Sequence, residues 1–134
     1  MIGIGIDLVQ LTSFRHQLDD PATTFAEAIF TSAERDYCAN AITKDPVVHY
    51  AGRYAAKEAT VKALDAACAF AGITVPLLNL GTIEVIRDSV GRPSLRFHGA
   101  ASQLAQKVGV DRAHLSITHE ADYASAVVCL ERLS

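Results

Sequence analysis

Arg53, Lys57, Glu58 and Lys62 crowd one alanine-rich run, Arg53-Tyr54-Ala55-Ala56-Lys57-Glu58-Ala59-Thr60-Val61-Lys62-Ala63-Leu64. The run has no Gly or Pro, and its apolar residues recur at helical spacing. Val47, Ala51, Tyr54, Val61 and Cys68 draw one stripe along one side of a helix. Glu58 falls in the middle of that stripe, where an apolar side chain belongs, and Lys62 lies one turn on. A carboxylate turned inward is costly unless a positive charge pairs with it. Lys62 can supply that charge, or a metal ion can, and the metal would imply chemistry. Arg53 and Lys57 form a like-charged (i, i+4) pair on the flank, mildly repulsive and tolerable on a solvated face. An anion between them would turn the repulsion into attraction.

Two further segments carry polar groups that could react. Gly3-Ile4-Gly5-Ile6-Asp7-Leu8 lacks the third glycine and the following helix of a dinucleotide fingerprint. Strand alternation puts Ile2, Ile4 and Ile6 on one side and Gly3, Gly5 and Asp7 on the other. The paired glycines predict that something packs close to the backbone. Asp7 itself reads most simply as a turn cap at a strand end. His119 ends an alternating strand near Ser116 and Thr118, a position that by itself suggests a surface residue. His114 and His119 fall on opposite faces and do not make a metal pair. There is no GxSxG and no GxxxxGK run.

The elements that must position these residues follow from local signals. Met1 to Val9 reads as a strand, and Leu11 to Leu18 and Thr23 to Ile29 as short helices. Thr31 or Ser32 with Glu34 resembles a cap for a helix to about Asn40. Asp45-Pro46 starts the long helix, which should end near Ala71-Gly72. Ile73 to Leu80 is a connection. Thr82 to Arg87 and Ser94 to Phe97 are strands about the turn Asp88-Ser89-Val90-Gly91. Ala100 to Val108 is a helix ending at Gly109. His114 to His119 and Tyr123 to Leu130 form a hairpin about Glu120-Ala121-Asp122. This order predicts an α+β fold, a mainly antiparallel sheet packed against one long and several short helices.

With 134 residues, half of them hydrophobic, the chain is expected to form a single domain over 1–134. A net charge of −3 offers no global attraction to nucleic acid or an anionic membrane. No apolar run reaches spanning length, and no basic region precedes the first strand, so neither a membrane span nor a signal peptide is expected. Cys38, Cys68 and Cys129 are odd in number and lack CxxC spacing, as reduced thiols of a cytoplasmic protein would.

Taken together, these pieces resemble the holo-[acyl carrier protein] synthase family of 4′-phosphopantetheinyl transferases. The family's GxD matches Gly5-Ile6-Asp7, its FTxxE matches Phe30-Thr31-Ser32-Ala33-Glu34, and its RxAAKEAxxKA matches Arg53 through Ala63. Its LSxSH strand corresponds to Leu115-Ser116-Ile117-Thr118-His119. The resemblance spans essentially the whole chain. It implies transfer of the phosphopantetheine arm of coenzyme A to a serine of an apo acyl carrier protein, of fatty-acid or polyketide synthesis, with release of adenosine 3′,5′-bisphosphate. It implies Mg²⁺ held by Asp7 and Glu58, and Lys62 at the reacting phosphate. Arg53, Lys57, Thr118 and His119 would lie near the coenzyme A phosphates. It also implies a homotrimer with sites at subunit interfaces. Glu58 or a metal-held water would take the serine proton. A non-catalytic trimer that binds coenzyme A or a carrier protein is the alternative.

The chain departs from the family in three places. The glycine-rich turn after the long helix is replaced by Leu64 through Gly72, so the helix should run longer. The first helix offers Arg15 and His16 and then Asp19 and Asp20, so carrier docking would fall to Arg35 or Lys44, or would suit a different carrier protein. Thr118 stands where the family has serine.

Overall fold

The computed structural model describes residues 1–42 and 45–134. Lys44, one of the expected docking residues, lies outside them. The chain runs β1 (Gly3–Gln10), α1 (Leu11–Asp19), α2 (Phe25–Ile29), α3 (Ser32–Ala39), α4 (Pro46–Ala71), a 3₁₀ turn at Leu80–Thr82, β2 (Ile83–Arg87), β3 (Pro93–Phe97), α5 (Gly99–Val108), β4 (Arg112–Glu120) and β5 (Tyr123–Glu131). One sheet has the order β1-β5-β4 and a second pairs β2 with β3; every pairing is antiparallel. The α+β expectation holds.

The long helix forms where its end signals sit. The Asp45 side chain accepts a hydrogen bond from Val47 N at 3.1 Å, and Pro46 occupies the first turn, where no N–H is needed. Gly72 ends it at φ 70°, a left-handed cap that glycine adopts without strain. With no glycine-rich turn to stop it earlier, the helix reaches Ala71, as the departure from the family implied.

The paired glycines of β1 do what their alternation suggested. A Cβ on Gly3 would fall 2.2 Å from Ala63 O, and one on Gly5 would fall 1.9 Å from Ala59 O. Helix α4 therefore lies directly on the backbone of β1, alanine against glycine, and Ala55, Ala59 and Ala63 are wholly buried. Phe30, Leu64, Ile83, Val128 and Leu130 complete the core around it. Cys38 and Cys68 are buried free thiols, and burial pushes Cys38 up to about 11. The other face of the three-stranded sheet is open. Ile4, Ile6 and Leu8 stand there largely exposed, Ile6 at 64 %.

Candidate functional site

The contact between β1 and α4 brings Asp7 beside the helix. Asp7 does not cap a turn: it lies within β1, paired in register with Ala126. It shares a cleft of about 280 Å³ with Glu58, Tyr54, Phe14, Ser13, Gln10 and Gln17. Ser125 donates to the Asp7 backbone carbonyl at 2.9 Å and ties the strand down at that point. Lys62 donates to Asp7 Oδ1 at 3.1 Å and to Ile6 O at 2.9 Å, so its partner is Asp7 and not Glu58. Asp7 is mostly covered, whereas Lys62 is about half exposed.

Glu58 keeps its place on the stripe because the stripe borders this cleft. Tyr54, one turn before it, stacks on Phe14 at 5.3 Å between ring centroids and meets Phe25 edge-on at 5.7 Å. Burial, then the charge of Glu58 and hydrogen bonding to it, push the Tyr54 phenol up to about 12. Tyr54 therefore stays protonated and presents its O–H to the carboxylate. The cleft wall thus carries two carboxylates and one phenol beside the Phe14 ring, with the Lys62 ammonium joined to it through Asp7. Two carboxylate groups are the hard oxygen donors that Mg²⁺ takes together with substrate phosphates and water.

The basic residues are elsewhere. Arg53, Arg87, His49 and His119 line a second pocket of about 180 Å³ with Val48, Gly52, Pro93 and Ile117, and no carboxylate is among its lining residues. The Arg53 guanidinium lies 4.2 Å from the centre of the Tyr37 ring, and Arg87 lies 5.0 Å from the same ring. Arg53 is 3 % exposed, and its Nε is buried without a hydrogen-bond partner. Burial, then the charges of Arg53, Arg87 and His119, hold His49 below the ordinary histidine value. Such a pocket has an excess of positive charge that a phosphate would neutralise.

Three sequence expectations need correction. Lys57 is not on a solvated face. It is wholly buried, with Nζ 2.8 Å from Glu34 Oε1, 2.5 Å from Ile83 O and 3.1 Å from Leu80 O. Ala56 and Thr60 beside it are also buried, so α4 is enclosed on more than one stripe. Thr118 does not join His119: strand alternation turns it to the open face, where it pairs in register with Ser125. Arg35 is engaged by its own segment, donating to Phe30 O at 2.5 Å.

Sequence reasoning also missed partners. The capping box at Thr31 and Glu34 forms as read, with Glu34 N donating to Thr31 Oγ1 at 3.2 Å and Thr31 N to Glu34 Oε1 at 2.8 Å. The ion pair from Glu34 to Lys57 was not read, nor were His49 and Arg87 as pocket residues or Tyr37 as the ring under both arginines. The small alanines around Lys57 were the available signal, since such a helix can approach its neighbours closely on several sides.

The sequence and the fold match a known class. Residues 3–128 fit the 4′-phosphopantetheinyl transferase superfamily, and the chain belongs to it. Within that class, its relatives are holo-[acyl-carrier-protein] synthases. The one from Maridesulfovibrio salexigens is 43% identical over 98% of this chain and 99% of its own length. That from Nocardia farcinica is 41% identical over 98% of this chain and 88% of its own length. The solved Chronobacterium ammoniagenes ACPS–CoA complex superposes with a TM-score of 0.80 at 35% identity, covering 98% of both chains.

Proposed function

We propose that residues 1–134 form one holo-[acyl carrier protein] synthase domain, which transfers the 4′-phosphopantetheine group of coenzyme A to a serine of an apo acyl carrier protein. The observation that carries this reading is the meeting of Asp7, Glu58 and Lys62, remote in sequence, around one cleft. Asp7 and Glu58 would hold Mg²⁺, which when bound neutralises charge on the diphosphate of coenzyme A. The serine oxygen forms a bond to the β-phosphorus as the bond to adenosine 3′,5′-bisphosphate breaks. Lys62 is exposed enough to reach the leaving phosphate while its anchor on Asp7 orients it. Asp7 is occupied by Lys62, whereas Glu58 has no ion pair among the described residues, so Glu58 is the carboxylate suited to take the serine proton. Tyr54 restrains that carboxylate through its hydroxyl.

Arg53 and His119, with Arg87 and His49, would hold a phosphate at the adenosine end of coenzyme A. Lys57 leaves this set, because its ammonium is already fully engaged. Thr118 would take part only across an interface, from the open face.

The placement of the two halves supports a homotrimer. Asp7 is on one edge strand of the sheet, His119 is on the other, and β5 lies between. Arg53 and Glu58 point about 140° apart around α4, at 100° per residue. The two pockets share no lining residue. The acidic cleft of one copy facing the basic pocket of the next would complete a site, and the exposed Ile4, Ile6 and Leu8 would be covered in the process. No helix among the described residues is long and apolar enough to cross a membrane.

Incubation with coenzyme A, Mg²⁺ and apo carrier protein tests the activity. The carrier should gain the mass of one phosphopantetheine. Failure with fatty-acid and polyketide carriers alike would refute the proposal.

A further inference from the structure

On α3, α4 and β2 alike, the buried ion pair lies one turn, or one pleat, from a member of the stack that Arg53 and Arg87 make on the Tyr37 ring. Glu34 is in the first turn of α3, and Tyr37 follows three residues on. Lys57 is in the middle of α4, and Arg53 precedes it by four residues. Val85 N of β2 donates to Glu34 Oε2 at 2.8 Å, and Arg87 is the next residue on the same side of that strand. Lys57 Nζ also grips Leu80 O and Ile83 O, which fixes the 3₁₀ turn that leads into β2. Thr31 Oγ1 adds a bond to Glu84 Oε2 at 2.8 Å, so α3 and β2 are joined twice. Each element thus gives one group to a buried clamp and one side chain to the Arg53–Tyr37–Arg87 stack.

We infer that Glu34 and Lys57 are positioning residues for coenzyme A binding: their ion pair sets the spacing of α3, α4 and β2 and so holds Arg53 and Arg87 against Tyr37 at the phosphate pocket. The inference rests on the reading of that pocket as the coenzyme A phosphate site. An arginine face stacked on an aromatic ring keeps its N–H edge free and aimed, and the aim depends on where the ring stands. A small shift of α3 moves Tyr37 and both arginines with it. Apolar residues could fill the clamp at similar stability, but they could not bond Val85 N and two carbonyls in one geometry. The pair's function is therefore register.

The acidic cleft touches neither residue, which separates the two roles experimentally. The double variant Lys57→Met with Glu34→Gln removes both charges and leaves none buried alone. Its dissociation constant for adenosine 3′,5′-bisphosphate, measured by calorimetry, should rise about tenfold, close to 1.4 kcal/mol. The KM for coenzyme A should rise by a similar factor, and kcat should fall far less. A partly unfolded variant would also show a raised apparent constant, so both constants are measured at a temperature where the melting curve shows every variant fully folded. Glu34→Gln alone strands the buried Lys57 charge, so it should weaken binding at least as much as the double variant. Arg53→Ala serves as the control and should weaken binding at least tenfold. Unchanged affinity in the clamp variants beside a loss in Arg53→Ala overturns the inference and spares the pocket. Unchanged affinity in Arg53→Ala as well overturns the pocket assignment and, with it, this role for the clamp.

Discussion

Asp7 and Glu58 differ in what surrounds them, and the roles proposed for them rest on that difference. Asp7 is covered, held by Lys62 and anchored through its own carbonyl by Ser125, whereas Glu58 meets Tyr54 and has no ion pair among the described residues. Asp7→Asn and Glu58→Gln should each lower kcat by about 10²–10³-fold, the scale of losing one preorganised charge in a reacting site. Thermal midpoints should move little, since neither carboxylate belongs to the core. Electron paramagnetic resonance with Mn²⁺ and coenzyme A should show bound ion in the native protein and none when both acids are changed. Unaltered Mn²⁺ binding would remove the metal assignment. His49 gives a pH signature. Its folded value is depressed, mainly by burial and then by Arg53, Arg87 and His119, below the ordinary 6.5. The unfolded chain therefore binds the extra proton first as pH falls. Stability is full above 6.5 and declines as pH drops towards the folded value. A bound phosphate opposes that decline, so the midpoint gain from adenosine 3′,5′-bisphosphate should be larger at pH 5.5 than at pH 8, as read by calorimetry. At this scale the sequence was half legible. Glu58 announced itself as a charge on an apolar stripe, but Lys57 looked solvated because alanine neighbours conceal a second buried stripe. Asp7 looked like a cap because alternation alone does not reveal a helix lying on the strand.

Among the elements, the pairing of β1 with α4 carries the site, and two glycines permit it. Gly5→Ala would put a methyl 1.9 Å from the Ala59 carbonyl, which neither backbone can yield to. The expected cost is about 3 kcal/mol or more, read as a lower denaturant midpoint, with activity lost at temperatures where the chain still folds. A neutral Gly5→Ala would show that α4 does not sit as described. The element boundaries themselves were readable. The Asp45-Pro46 start, the Gly72 stop and the Thr31 cap each rest on local backbone chemistry that a short window contains. The hairpin was harder at its far end: β4 begins at Arg112, because pairing with Glu131 extends it beyond its apolar alternation. The contact that brings α3 to β2 was unreadable, since it joins residues far apart through one buried carboxylate.

For the whole molecule, the proposed shared site makes the cleft and the pocket of one chain two half-sites. An acidic cleft borders β1, a basic pocket borders β4, and an apolar sheet face connects them. Alternation in the first strand already indicated that Ile4 and Ile6 share a face, but not that the face would be left open. The most direct test of a site shared between copies mixes two impaired variants, Asp7→Asn and Arg53→Ala, at coenzyme A concentrations below KM. After subunit exchange, half the acidic clefts and half the basic pockets are intact, so about a quarter of the interfaces join two intact halves. Carrier modification, followed by mass, should recover to about that fraction of the native rate. A mixture no faster than its two components would mean that each chain works alone, and the shared site would be wrong.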